Sequence, residues 1–116
     1  MKNLPPLDTC CPPDQPTAIA GPVDGPEADA DLAAFAKAVG HPIRVRILRM
    51  LARKKAHLCS HIVDELPLAQ STVSEHLRIL RRAGLVQVNE KGSRVSYCIV
   101  PSAWSRFKAL VEAVEL

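Results

Sequence analysis

The chain has 116 residues, which gives room for one modest core and excludes a second independent domain. Its net charge of +3 hides an asymmetry, because residues 1–36 carry one Lys and six Asp/Glu while residues 37–116 carry fourteen Lys/Arg and six Asp/Glu. The second part is therefore basic and suits a polyanionic partner, and with no apolar run of about 18 residues and no basic-then-apolar leader the chain is expected to be cytoplasmic, without a membrane partner.

Residues 1–29 hold seven of the ten prolines and no periodic apolar pattern, so they read as a flexible arm ahead of a folded domain at 30–116. The arm carries an adjacent pair, Cys10 and Cys11, followed by Pro12 and Pro13, which stiffen the chain behind them. In a reducing compartment the four cysteines are expected as thiols rather than as a disulfide framework.

Leu32, Phe35, Ala36 and Val39 then recur at helical spacing up to Gly40, predicting a first helix. Pro42 opens a second, with Ile43, Ile47, Met50 and Leu51 on one face and a basic cluster, Arg53, Lys54 and Lys55, at its end. A short extended stretch at His57 and Leu58 follows, and Ser60 is placed to cap a short helix bearing Ile62, Val63 and Leu66 that Pro67 breaks. Three residues on, a helix spans Gln70 to Ala83, burying Val73, Leu77 and Leu80 and stopped by Gly84. The β-rich runs 85–88 and 94–100 flank a turn at 89–93 containing Gly92, a hairpin signal. A last helix from Pro101 sets Trp104, Phe107, Leu110 or Val111, and Val114 on one face, as core or as dimer interface.

The order helix, turn, helix, hairpin is that of a winged helix-turn-helix, a mainly α fold with a small β-hairpin. The outer side of the 70–82 helix presents Gln70, Ser71, Thr72, Ser74, Glu75, Arg78, Arg81 and Arg82. Residues able to read base edges stand near its start and phosphate-binding arginines further on, a distribution suited to the major groove of double-stranded DNA. Lys91 and Arg94 on the hairpin would meet the neighbouring backbone. His76 lies beside the buried face and is either a further DNA contact or a structural histidine. No glycine-rich phosphate loop, nucleophile–base set or carboxylate pair occurs in a pocket context, so an enzyme is not expected.

The runs Gly40-His-Pro-Ile-Arg-Val-Arg-Ile-Leu48, Ile62-Val-Asp-Glu-Leu-Pro-Leu-Ala-Gln-Ser-Thr-Val-Ser-Glu-His-Leu77 and Ala83-Gly-Leu85 resemble the ArsR/SmtB family of winged-helix metalloregulators over roughly residues 30–116. The resemblance implies a homodimer paired through its first and last helices that represses a resistance operon at its operator until an ion binds, and it matches Ser74 and His76 to the family's Ser-x-His-Leu. The chain departs from the family in having Pro67 where the turn usually has Gly, no His or Cys on the terminal helix for a zinc site, and a single Cys59 in place of the family's Cys-Val-Cys.

The sensing site must then be built from the cysteines at hand. Thiolates are soft donors, and three of them suit the pyramidal As(III) or Sb(III), while four suit Cd, Pb or Zn. Cys10 and Cys11 pair poorly with each other in a disulfide but can grip one large ion. Cys59, in the segment where the resemblance places thiol sensing, is the expected third ligand. Cys98 is a fourth candidate or a small core residue, and the short extended segment is expected to pair with its strand. His57 and His61 flank Cys59 and are either solvated or tune its thiolate. Ion binding to Cys10 and Cys11 of one protomer and Cys59 of the other would shift the reading helices away from half-sites about 34 Å apart. A repressor responding to Cd or Pb, or one in which Cys59 or Cys98 enters a reversible disulfide, remains open as an alternative.

Overall fold

The computed structural model describes residues 21–53, 57–92 and 94–115. The first helix, α1 (Pro26–Val39), opens on a proline, whose fixed φ suits a first turn, and sets Glu27 and Asp29 against the positive end of the helix dipole. It therefore starts before residue 30, and Ala28, expected on the arm, is already buried. Phe35 and Ala38 complete the buried face with Leu32 and Val39 partly covered, whereas Ala36, expected inside, is exposed. Gly40 closes the helix where any Cβ would come within 3.0 Å of the Ala36 carbonyl.

Helix α2 (Pro42–Arg53) follows at once and buries Ile47, Leu48, Met50 and Leu51, leaving Arg46, Arg49 and Arg53 exposed. Strand β1 (His57–Leu58) leads into α3 (Cys59–Glu65), which begins one residue before Ser60, so Ser60 lies inside the helix and is not its cap. Ile62 and Leu66 enter the core from this segment. Pro67 lies in the link to α4 (Gln70–Arg82), whose Val73, Leu77 and Leu80 are buried as their spacing predicts.

Helix α4 ends in two short backbone bonds: the Gly84 N–H donates to the Arg81 carbonyl at 2.9 Å and the Leu85 N–H to the Leu80 carbonyl at 3.1 Å. This reversal needs a left-handed residue, and Gly84 has φ +84°. It delivers the chain into β2 (Val86–Lys91), which pairs with β3 (Arg94–Ile99). The pairing runs three residues beyond Val88 to Lys91↔Arg94, with Gly92 in the turn at φ +62°. On its other edge β3 takes up β1, with His57↔Tyr97 and Leu58↔Ser96, so the sheet order is β1-β3-β2.

Helix α5 (Pro101–Glu112) packs on α1 of the same chain. Ala103 and Leu110 are buried, and Phe107 meets Phe35 and Trp104 with ring centroids 5.8 and 5.6 Å apart. Val111 and Val114 stay outside at 50% and 52% exposure. Arg106 donates to the Gly21 carbonyl at 2.9 Å and reaches Asp31 at 3.5 Å, tying the chain ahead of α1 to α5.

Gly84→Ala meets no atom within 4 Å, so its effect is purely conformational. It should cost about 1–2 kcal/mol, seen as a lower urea midpoint with unchanged slope. An unchanged midpoint would show that the left-handed turn is not required.

Candidate nucleic-acid interface

Because Val73, Leu77 and Leu80 turn one stripe of α4 inward, the helix presents Gln70, Ser71, Thr72, Glu75, Arg78, Arg81 and Arg82 outward, all exposed, with Ser74 half-covered. No side chain caps its first turn at Ala69, which leaves the leading N–H groups for solvent or an anion. Arg78 donates through Nε to Glu75 Oε1 at 3.1 Å and through Nη2 to Oε2 at 2.8 Å, a two-pronged pair lying wholly on the surface. That guanidinium holds the Glu75 carboxyl below its usual proton affinity. Arg81 and Arg82 have no ion pair among the described residues, and both sit in the last turn, against the negative end of the helix dipole. The backbone register sets Lys91 and Arg94 opposite each other at the hairpin tip; their side chains lie outside the described set.

His76 faces the other way. Its ring is half-buried against α2, its Nδ1 lies 3.2 Å from Nη1 of Arg44, and its centroid is 4.5 Å from that of His41. Burial first, then the positive environment of His41 and Arg44, lowers its proton affinity, and Glu75 opposes them only in part. Sequence reasoning missed Arg44 and His41 as its partners, although all three residues stand in two of the three runs that carried the family resemblance.

The candidate ion ligands are brought together by nothing that the described residues show. Cys10 and Cys11 lie outside them; of Cys59 the backbone opens α3, and its side chain lies outside too. Among the described residues no group of three His, Cys, Asp or Glu is placed to hold a metal ion. His61 is exposed. Cys98 is fully buried on β3 and is disulfide-bonded, contrary to the expectation of a thiol; its partner lies outside the described side chains. No helix among the described residues is long and apolar enough to cross a membrane.

Residues 41–88 match the family model described as "Bacterial regulatory protein, arsR family". An uncharacterized HTH-type transcriptional regulator of Methanocaldococcus jannaschii is 38% identical over 79 residues, which are 68% of this chain and 85% of that protein. The transcriptional repressor PagR of Bacillus anthracis is 37% identical over 73 residues, 63% of this chain and 70% of that one. A solved structure described as "Possible transcriptional regulator for arsenical resistance" superposes with a TM-score of 0.64 at 25% identity, covering 69% of this chain and 82% of the other. These relatives and neighbours are regulators and not enzymes.

The lowered proton affinity of His76 has a definite sign for stability. Below its ordinary value of 6.5 the unfolded chain takes up a proton that the folded chain resists, so stability is complete above pH 6.5 and falls as the medium is acidified below it. The urea midpoint of the wild type should drop between pH 7 and 5, and that of His76→Gln should drop less. Equal drops would assign the acid sensitivity to other groups.

Proposed function

The chain belongs to the ArsR family of bacterial regulatory proteins, and we propose that it is a homodimeric repressor that binds operator DNA through α4 and the β2–β3 hairpin and lets go when As(III) or Sb(III) binds Cys10, Cys11 and Cys59. The observation that carries the DNA reading is the two-sided α4: an apolar stripe locked into the core and, opposite it, uncapped N–H groups, small polar residues and arginines without carboxylate partners on one open face. Gln70, Ser71 and Thr72 at the leading end would read base edges, and Arg81, Arg82, Lys91 and Arg94 would hold phosphates. The Arg78–Glu75 pair would enter the groove as a preformed fork. The repressor PagR and the neighbour named for arsenical resistance support, respectively, repression and a metalloid effector.

For the effector, the donor chemistry is the support. Three thiolates match a soft, three-coordinate ion, a set complete only in the reduced chain because the sulfur paired with Cys98 is one of the other three, and α5 has neither His nor Cys to offer zinc. Bound there, the ion would supply sulfur bonds between the segment ahead of α1 and the start of α3. The residues' own part is to connect those bonds to the reading head: Arg106 holds Gly21 to α5, and Cys59 stands one residue from the β1–β3 pairing.

A second reading is favoured by Cys98. Its buried sulfur is disulfide-bonded, which suits a repressor whose β3 strand is tied when an oxidant such as peroxide takes two electrons from a thiol pair and released when a cellular thiol reduces the bond. Operator release titrated with arsenite, antimonite, Cd, Pb and peroxide separates the two. The first reading expects release by arsenite or antimonite, abolished in Cys10→Ser, Cys11→Ser and Cys59→Ser and in a chain lacking residues 1–20. Release by peroxide alone, lost in Cys98→Ser, would replace it with the redox reading; release by Cd or Pb alone would reassign the ion.

The DNA reading has its own check. Arg81→Ala and Arg82→Ala should each reduce the slope of log affinity against log salt by about 1 while leaving operator preference intact. An unchanged slope would remove these arginines from the interface.

A further inference from the structure

Arg44 touches three helices at once. It belongs to α2; its Nε donates to the Ala38 carbonyl and its Nη2 to the Lys37 carbonyl at 3.4 Å, both at the end of α1; and its Nη1 lies 3.2 Å from His76 Nδ1 on α4. Each contact has a reason. The last carbonyls of α1 lack partners within the helix and carry the negative end of its dipole, so a guanidinium is the natural cap. A guanidinium has donors only, so His76 Nδ1 must accept, which places the His76 proton on Nε2. His41 is committed in the same way, its Nδ1 accepting from the Ile43 N–H at 3.0 Å at the start of α2.

We propose that Arg44 is the positioning residue that clasps the reading helix to the α1–α2 corner, and that a proton taken up at His76 Nδ1 opens the clasp. A proton there turns the acceptor into a donor facing a donor and sets a second positive charge against Arg44. The charged and titratable groups that act on His76 are Arg44 from α2, His41 from the α1–α2 link and Glu75 from its own helix. From α1 come the two carbonyls that Arg44 holds, and among the described residues neither α3 nor β2 contributes a charge to it. Glu75, the one acidic group, is committed to Arg78 on the surface. Among the described residues no neighbour is therefore free to receive the new charge.

The clasp also gives the N-terminal half a route to the reading head. Helix α1 is tied to α5 by Phe35 against Phe107 and by Arg106 through Asp31, so a displacement of α1 pulls on Arg44, and Arg44 pulls on α4. This inference rests on the reading of α4 as the DNA-contacting helix, and its test is chosen so that the two can fail separately.

Two measurements on the full chain decide it. In the first, long-range proton–nitrogen NMR of the wild type at pH 7.5 should show His76 protonated at Nε2 only; a proton on Nδ1 would overturn the clasp whatever the DNA result. In the second, operator affinity is followed from pH 7.5 to 5.5 at fixed salt. The wild type should weaken about tenfold, a usual size for coupling between two sites. Within each variant's own profile, His76→Gln, which keeps an acceptor but cannot take the proton, should lose that dependence, and Arg44→Lys should bind more weakly than wild type at pH 7.5. An unaltered pH slope in His76→Gln, or wild-type affinity in Arg44→Lys, would overturn the proposal; if Arg44→Lys does not fold, the tautomer and the His76→Gln profile still decide. Absence of any operator binding by the wild type at pH 7.5 would instead overturn the DNA reading, leaving the clasp to the NMR result.

Discussion

The burial of Val73, Leu77 and Leu80 is the contact on which the remainder of the molecule depends. All three are under 2% exposed, spaced to form one stripe of α4, and they join Ile47, Met50 and Leu51 of α2 in a single core. A fully buried aliphatic side chain contributes about 1.5–3 kcal/mol, so this stripe fixes the rotation of α4 about its axis far more firmly than any surface ion pair could. Rotation is what matters for function. With the stripe inside, Gln70, Ser71, Thr72, Arg78, Arg81 and Arg82 have only one side on which to stand, and Gly84 then turns the chain so that the hairpin follows directly.

The polar contacts refine what burial establishes. Arg44 links the corner of α1 and α2 to α4 on the inner side, and the Arg78–Glu75 pair braces α4 on the outer side. They differ in kind. The outer pair is exposed and screened, whereas the inner contact is partly buried and uses an acceptor that a proton can abolish. A regulator built this way can leave its fold untouched while altering how rigidly the reading helix is held.

Much of this was legible from the residues. Periodicity located α2 and α4, Gly84 marked the end of the reading helix, and the pairing of the short extended segment with the returning strand was expected and found. The departures have physical causes. Proline density before residue 30 hid the helix start at Pro26, although proline at a first turn followed by acidic residues is itself a start signal. Ala36, expected inside, is exposed while Ala38 is buried, because alanine carries too little apolar area to declare a face. Strand pairing reached Lys91 because the polar residues Asn89 and Glu90 can still fill a ladder, whose bonds come from the backbone. The Arg44–His76 contact joins residues 32 apart and leaves no trace in local pattern. Sulfur chemistry was the least legible part: four cysteines permit an ion site or a disulfide, and the one whose side chain is described proved to be disulfide-bonded.

The central claim is that the outer face of α4, with the hairpin tip, is where the chain meets DNA. Arg46, Arg49 and Arg53 form a second exposed basic stripe, on the outer side of α2, and offer a physical competitor for the same phosphates. Backbone amide chemical shifts recorded with and without a short operator duplex compare the two surfaces in one experiment. The account predicts that the largest changes fall on residues 70–72, 78, 81–82 and 91–94. Changes concentrated on residues 46, 49 and 53, with α4 undisturbed, would contradict it.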